Sequence, residues 1–141
     1  MKTKKQTVKI KSTSLPTKGS EYSAGYDVVS TEHASICPGA RMLISTGLHI
    51  EPPDNVFALL LPRSGLATKH GVATTIGTID NDYRGEIKAN LVNFSNATFT
   101  INPGDRIAQL VFLESPDLEL KLADKLTETD RGDKGFGSTG V

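Results

Sequence analysis

Four of the ten residues RGDKGFGSTG at 131–140 are glycine, with Arg131 at one end and Phe136 inside. Glycine lets a backbone come close to phosphate oxygens and adopt positive φ, and an arginine adds charge. The segment therefore reads as a phosphate cover, yet only Val141 follows it. Four upstream segments hold the other reactive side chains. Ala24-Gly25-Tyr26-Asp27 sets an acid after a glycine turn. Pro62-Arg63-Ser64-Gly65-Leu66-Ala67 puts a guanidinium and a hydroxyl where a helix would begin, and unpaired N–H groups there suit a phosphate. GTIDNDYRGE at 77–86 packs Asp80, Asp82, Tyr83, Arg84 and Glu86 into one turn. In Gly104-Asp105-Arg106-Ile107-Ala108-Gln109-Leu110, the amide of Gln109 falls inside an apolar run and needs a partner. Each segment also has an ordinary counterpart: a turn aspartate, a plain helix cap, a solvated hairpin tip, a structural hydrogen bond.

The frame for these groups is read from periodicity, which is mostly two. Val8 and Ile10 share a face, as do Leu48 and Ile50, then Ile87, Ala89 and Leu91, then Leu118, Leu120 and Leu122. Val56 to Leu61 and Ile107 to Leu113 are more continuously apolar, which fits strands buried on both faces or a contact between subunits. Turn residues separate the runs at Pro38-Gly39, Pro52 to Asn55, Asp82 to Gly85 and Pro103 to Asp105. Short strands at this spacing predict an all-β sandwich or barrel-like fold. One short helix is expected, N-capped by Ser64, closed by Gly71, with Leu66 and Ala67 inward. From Ala123 onward the large apolar residues are only Leu126, Phe136 and Val141, too few to anchor a core, so this tail is expected to order on a ligand.

Length and charge narrow the function. A chain of 141 residues suits one compact domain. With 16 basic and 16 acidic residues, it lacks the basic excess of a nucleic-acid polymer binder. Cys37 is the single cysteine, which excludes an intrachain disulfide. His33, His49 and His70 lack metal-ligand spacing. No signal-like or membrane-length apolar run is present, and an intracellular protein is expected.

Taken together and in order, AGYD, PRSGLA, GTIDNDYRGE, GDRIAQL and RGDKGFGSTG resemble the five motifs of the trimeric deoxyuridine triphosphatases, or dUTPases. The resemblance implies a β-clip or distorted jelly roll with one short helix and a flexible C-terminal arm. The catalytic domain would span 1–122, and the arm, 123–141, would carry a glycine-rich lid. It also implies a homotrimer with shared active sites, dUTP as substrate and Mg²⁺ as cofactor. No nucleic-acid polymer and no membrane would be partners, and the setting would be cytoplasmic or nuclear. The implied reaction hydrolyses dUTP to dUMP and pyrophosphate by water attack on the α-phosphorus, limiting uracil in DNA and supplying dUMP for dTMP synthesis.

By position, Asp80 matches the acid that orients the attacking water and accepts its proton. Tyr83 matches the tyrosine beneath the deoxyribose. The backbone from Thr74 to Ile79, with Gly77, Thr78 and Ile79, would form the uracil hairpin. Ser64 and Gly65 would hold the α and β phosphates with Gln109 beside them, and Lys88 joins the substrate-binding set. Arg63 belongs to that set as a scaffold more than a direct ligand, and Asp27 would act on Mg²⁺ through its bound waters. Phe136 would stack on uracil while Arg131 and Gly137, Ser138 and their neighbours cover the γ-phosphate, all supplied in trans. Two positions depart from the family pattern. Lys134 replaces a usual lid glycine and is expected to face solvent. Thr74 stands where some relatives carry an asparagine, so base contact there is expected from backbone only. Two other readings share these segments: a related deoxycytidine triphosphate deaminase, and a β-clip protein that binds a nucleotide without turning it over.

Overall fold

The computed structural model of the protein describes residues 4–140. Along the chain it forms β1 (Lys9–Lys11), β2 (Tyr26–Val29), β3 (Ala34–Ile36), β4 (Arg41–Glu51), β5 (Val56–Leu61), α1 (Ser64–His70), β6 (Val72–Thr74), β7 (Gly77–Ile79), β8 (Ile87–Asn93), β9 (Phe99–Ile101) and β10 (Arg106–Glu114). Every ladder is antiparallel. One sheet runs β1-β4-β8-β6, the second β2-β10-β5-β7, and β3 pairs with β9. Neighbours in the sheets are distant in sequence, the mark of jelly-roll connections.

Alternation selects the buried face. In β8, Ile87, Ala89 and Leu91 are buried while Lys88 is exposed. In β5, Val56, Ala58 and Leu60 are buried and Phe57, Leu59 and Leu61 are only half-covered. The apolar run there is thus one core face plus one partly open face. Ile44, Ile50 and Leu91 of the first sheet join Ala58, Leu60 and Leu110 of the second in one core. Each such side chain stabilises the fold by roughly 1.5–3 kcal/mol relative to exposure.

The polar side chain of Asn93 is wholly enclosed. Asn93 donates through Nδ2 to Ile36 O and Ala97 O, both at 2.8 Å, and accepts through Oδ1 from Ser95 N and Oγ. It thereby ties β8 to β3 and closes the turn after β8. Asn93→Ala should cost roughly 1–3 kcal/mol for each group left unsatisfied, read as a fall in the urea midpoint with an unchanged m-value.

Two local expectations are corrected. The residue capping α1 is Arg63, not Ser64, and it makes no side-chain cap bond. Its guanidinium is drawn instead to Asp27 and to Arg106 O. Gly71 closes the helix at φ 64°, as the turn requires. Leu118, Leu120 and Leu122, although alternating, belong to no strand and are exposed, with no strand partner among the described residues. Among the described residues, the last backbone hydrogen bond from this region to the packed body is Ser115 N donating to Asn55 O at 2.7 Å. Further along, backbone bonds are local turns such as Gly132 to Thr129 and Gly140 to Gly137. Among the described residues no helix is long and apolar enough to cross a membrane.

Candidate active site

Strand β10 gathers the first group of side chains. Gln109 lies opposite Asp27 of β2 on one side and Leu61 of β5 on the other. The start of α1 follows Leu61, so the glutamine amide reaches it, with Nε2 donating to Pro62 O at 2.8 Å. Gly25 makes room for that amide. A Cβ there would run into Gln109 Oε1 and stand 3.1 Å from its Cδ. Asp27 pairs through Oδ1 with Arg63 Nε at 3.2 Å and through Oδ2 with Arg106 Nη1 at 3.7 Å. Arg63 Nη1 also donates to Arg106 O at 2.9 Å. Asp27 thus braces Arg63 beside the helix start, where Ser64 and Gly65 are exposed. The first amides of a helix have no intrahelical acceptor, and no side chain caps these.

The second group stands on the turn after β7. Asp80, Tyr83, Glu86 and Lys88, with Thr78 and Ile79, line a cleft of about 630 Å³. Asp80 also borders a neighbouring cleft with Asp54, Asn55 and Asn81. The turn is tied at both shoulders. Asn81 Nδ2 donates to Pro53 O at 2.9 Å and Val56 O at 2.8 Å. Arg84 O meets His49 Nδ1 at 2.9 Å. On the far shoulder, Glu86 Oε1 accepts from Gly47 N at 2.8 Å and Thr46 N at 3.2 Å. Those amides lie where the β4–β8 register shifts between Ile44 and Leu48, with Gly47 at φ 65°.

The Gly47 amide holds the Glu86 carboxyl below the usual carboxylate range, against the opposing cost of burial; Ser45, Lys88 and Thr46 add to the lowering. A group with a depressed folded pKa stabilises the fold above its unfolded pKa and loses that contribution as pH falls through the lowered value. Glu86→Gln should therefore be less stable than the wild type near neutrality. The gap should close as both are acidified below the ordinary carboxylate range, which urea titrations at stepped pH would measure.

The two groups are not together in one copy. Ile79 lies opposite Ala58 and Gly77 opposite Leu60, so β7 leaves Asp80 near the Phe57 level. Ser64 follows the other end of β5. Four residues of strand separate Asp80 from the Leu61 level, about 13 Å before Pro62 and Arg63 are crossed. Arg131, Gly137 and Ser138 are exposed, and so is Phe136, at φ 51°. Lys134 is exposed like its neighbours in the arm, its carbonyl accepting from Arg131 Nε at 2.9 Å.

The Thr74–Ile79 segment is not a paired hairpin. Strand β6 pairs with β8 and β7 with β5, so the link between them crosses from one sheet to the other. Thr74 is buried, its hydroxyl donating to Thr75 O at 3.1 Å. Sequence reasoning gave no role to Asn81 or Glu86, and none to the side chain of Arg106. Their partners lie far along the chain, and no local signal marks them. The histidines serve structure: His33 meets Asn102 at 3.2 Å, and His70 packs on Phe99.

Residues 11–140 match the family model described as dUTPase. The chain is 48% identical over 128 residues to a deoxyuridine 5'-triphosphate nucleotidohydrolase of Candida albicans, covering 89% of this chain and 80% of that one. It superposes with a TM-score of 0.89 on a mutant dUTPase of Staphylococcus bacteriophage 80alpha with dUpNHpp, at 28% identity over 96% of this chain and 99% of the other. A mutant dUTPase from phage phi11 of S. aureus, solved for the coordination of a structural Mg(II) ion, superposes at TM-score 0.80 and 25% identity, covering 86% of this chain and 99% of the other.

Proposed function

This chain belongs to the dUTPase family and hydrolyses dUTP, and from that premise we propose how its residues divide the work between neighbouring copies. The observation that carries the reading is the separation just described. Asp80 and Tyr83 sit at one end of the β5–β7 pair, Ser64 and Gln109 at the other, and the arm leaves the body. A site that needs all three is completed when copies meet, which favours a homotrimer with shared sites. Charge supports contact between copies. Residues 1–18 hold Lys2, Lys4, Lys5, Lys9, Lys11 and Lys18 and no acid, while residues 114–130 are mostly acidic among their charged positions.

Water attack on the α-phosphorus needs an in-line oxygen, countered charge and little covalent help. Asp80 orients that water and takes its proton, from about 2.6–3.2 Å. Ser64, Gly65 and the uncapped amides of α1 hold the α and β phosphates, with Gln109 setting the local backbone through Pro62. Arg63, braced on Asp27, supports this start rather than binding phosphate itself. Lys88, on the cleft wall beside Glu86, adds positive charge. Tyr83 packs under the deoxyribose and leaves no space for a ribose 2′-hydroxyl. The backbone of Gly77, Thr78 and Ile79 reads uracil, and cytosine would leave buried groups unpaired. From another copy, Phe136 covers the base, and Arg131 with the amides near Gly137 and Ser138 covers the γ-phosphate, expelling water as they close.

Among the described residues no group of three His, Cys, Asp or Glu side chains forms a metal centre. Each Asp27 oxygen meets an arginine, and each keeps a further lone pair for a water. That donor set fits a hydrated Mg²⁺ carried by the triphosphate and met by Asp27 through its waters, where the ion would neutralise phosphate charge. The dUMP product supports dTMP synthesis, and removal of dUTP keeps uracil out of DNA, in the cytoplasm or nucleus where nucleoside triphosphates are used.

Pyrophosphate release measured across dUTP, dCTP, dTTP and UTP tests the reading. Turnover should be confined to dUTP. Ammonia from dCTP would instead assign the chain to deamination.

A further inference from the structure

Tyr83 is the aromatic side chain of the 80–86 turn, and it is left half-open, at 45% exposure. Two contacts fix where its ring lies. The phenol donates to Glu86 O at 2.9 Å. The ring also fills the space over Gly85, where a Cβ would run into the phenol oxygen and stand 2.6 Å from Cζ and 3.0 Å from Cε2. Gly85 is not among the glycines with positive φ, so its backbone is one that any residue adopts. Glycine is needed at this position for ring space and not for conformation.

The carbonyl that receives the phenol is itself anchored. Glu86 binds the bulge of β4 through the amides of Thr46 and Gly47. The next carbonyl, Ile87 O, accepts from the buried Thr46 hydroxyl, which in turn accepts from Leu48 N at 3.2 Å. A continuous set of hydrogen bonds therefore runs from the middle of the first sheet, through Glu86, to the tip of the Tyr83 ring. A ring tethered at its oxygen, with its phenolic end seated over Gly85, is restrained on its χ angles, which in a solvent-exposed tyrosine otherwise reorient on the ps–ns scale.

We propose that Gly85 and Glu86 are positioning residues that set the Tyr83 ring as the wall discriminating deoxyribose from ribose. This rests on the reading that Tyr83 packs under the sugar. Neither residue touches the nucleotide; both act through the ring. Adding one methyl at Gly85 lifts the ring off the turn. Removing the Glu86 carboxylate frees the carbonyl that holds the phenol. In either case room appears for a 2′-hydroxyl.

The test compares dUTP with UTP in kcat/KM, and the binding of non-hydrolysable deoxy- and ribonucleotide analogues, for wild type, Gly85→Ala, Glu86→Ala and Glu86→Gln. Gly85→Ala and Glu86→Ala should lower the dUTP preference roughly ten- to hundredfold, the scale of one misplaced group in a pocket. The change should lie mainly in KM and analogue affinity, with kcat for dUTP changed much less. Glu86→Gln keeps an oxygen that accepts from Thr46 and Gly47, so it should retain most of the preference. A general loss of stability would lower both substrates together and leave the ratio fixed. If Gly85→Ala does not fold, Glu86→Ala is judged on the same ratio. An unchanged ratio in the folded variants, with wild type preferring dUTP, overturns the inference. A wild type that does not hydrolyse dUTP would sink the functional reading itself, a result distinct from that one.

Discussion

Asp80→Ala protein binds a non-hydrolysable dUTP analogue about as well as wild type but turns dUTP over roughly 10²–10⁴-fold more slowly, the span expected when a general base is removed. The split between binding and turnover follows from where Asp80 stands. Its backbone carbonyl accepts from Tyr83 N at 3.1 Å, so the turn keeps its shape when the side chain is cut at Cβ. The carboxylate is exposed, and among the described residues it pairs with no cation. It therefore contributes little to the fold and is free to meet a water. The nucleotide is held elsewhere, by the Ser64 end, the uracil-reading backbone and the arm. Asp80→Asn keeps the size and one acceptor but cannot take a proton, and its turnover should fall nearly as far. Asp82, also exposed on the same turn, serves as the control, and Asp82→Ala should stay within a few-fold of wild type. Normal turnover by Asp80→Ala would refute the role assigned to this carboxylate.

How much of this was legible before the coordinates depends on the distance between partners. Strand β5 was readable to the residue, since Pro52 to Asn55 bound Val56–Leu61 on one side and Pro62 on the other. Only the end of β4 was readable. Its buried positions are Ile44, Thr46, Leu48 and Ile50, and a polar Thr46 beside the bulged Gly47 hides the alternation upstream of Leu48. Strands β3, β6 and β9 are three residues each, too short to show a period. The braces Asn81, Glu86 and Arg106 were given no role, whereas the candidate reactive residues were named from local pattern and family resemblance. Their division into two ends was not legible, because it is set by the β5–β7 and β10–β5 registers. The same holds for the Arg63 guanidinium, whose partner Asp27 lies far upstream. The alternation of Leu118 to Leu122 reports that two sides of a segment differ. It does not report whether the partner is in the same chain.

Removing residues 131–141 should leave a folded assembly with little activity. The described residues among those excised, 131–140, are outside the packed body. Of those described, their hydrogen bonds stay within the arm, as between Lys134 and Arg131 or Ser138 and Gly135. The melting temperature and sedimentation of the truncated protein should therefore match wild type. Turnover should fall by at least the roughly 10²–10³-fold that one donor to developing charge is worth, since Arg131 and several amides are lost together. Ordering the lid costs about 1–2 kcal/mol per residue, and only contacts to a complete triphosphate offset that. Wild type should accordingly protect its arm from protease with the dUTP analogue and much less with dUMP. Mixing separates a lid acting on its own copy from one acting on a neighbour. Asp80→Ala chains carry an intact arm, and truncated chains carry an intact Asp80. If each site takes Asp80 from one copy and the arm from another, verified mixed assemblies regain part of the activity that neither parent has. If both came from the same chain, no mixture could hold a complete site, and recovery would be nil. The geometry favours recovery: Asp80 is anchored on the β7 turn by Asn81 and Glu86, while the arm departs after Ser115 with no return contact to that turn among the described residues.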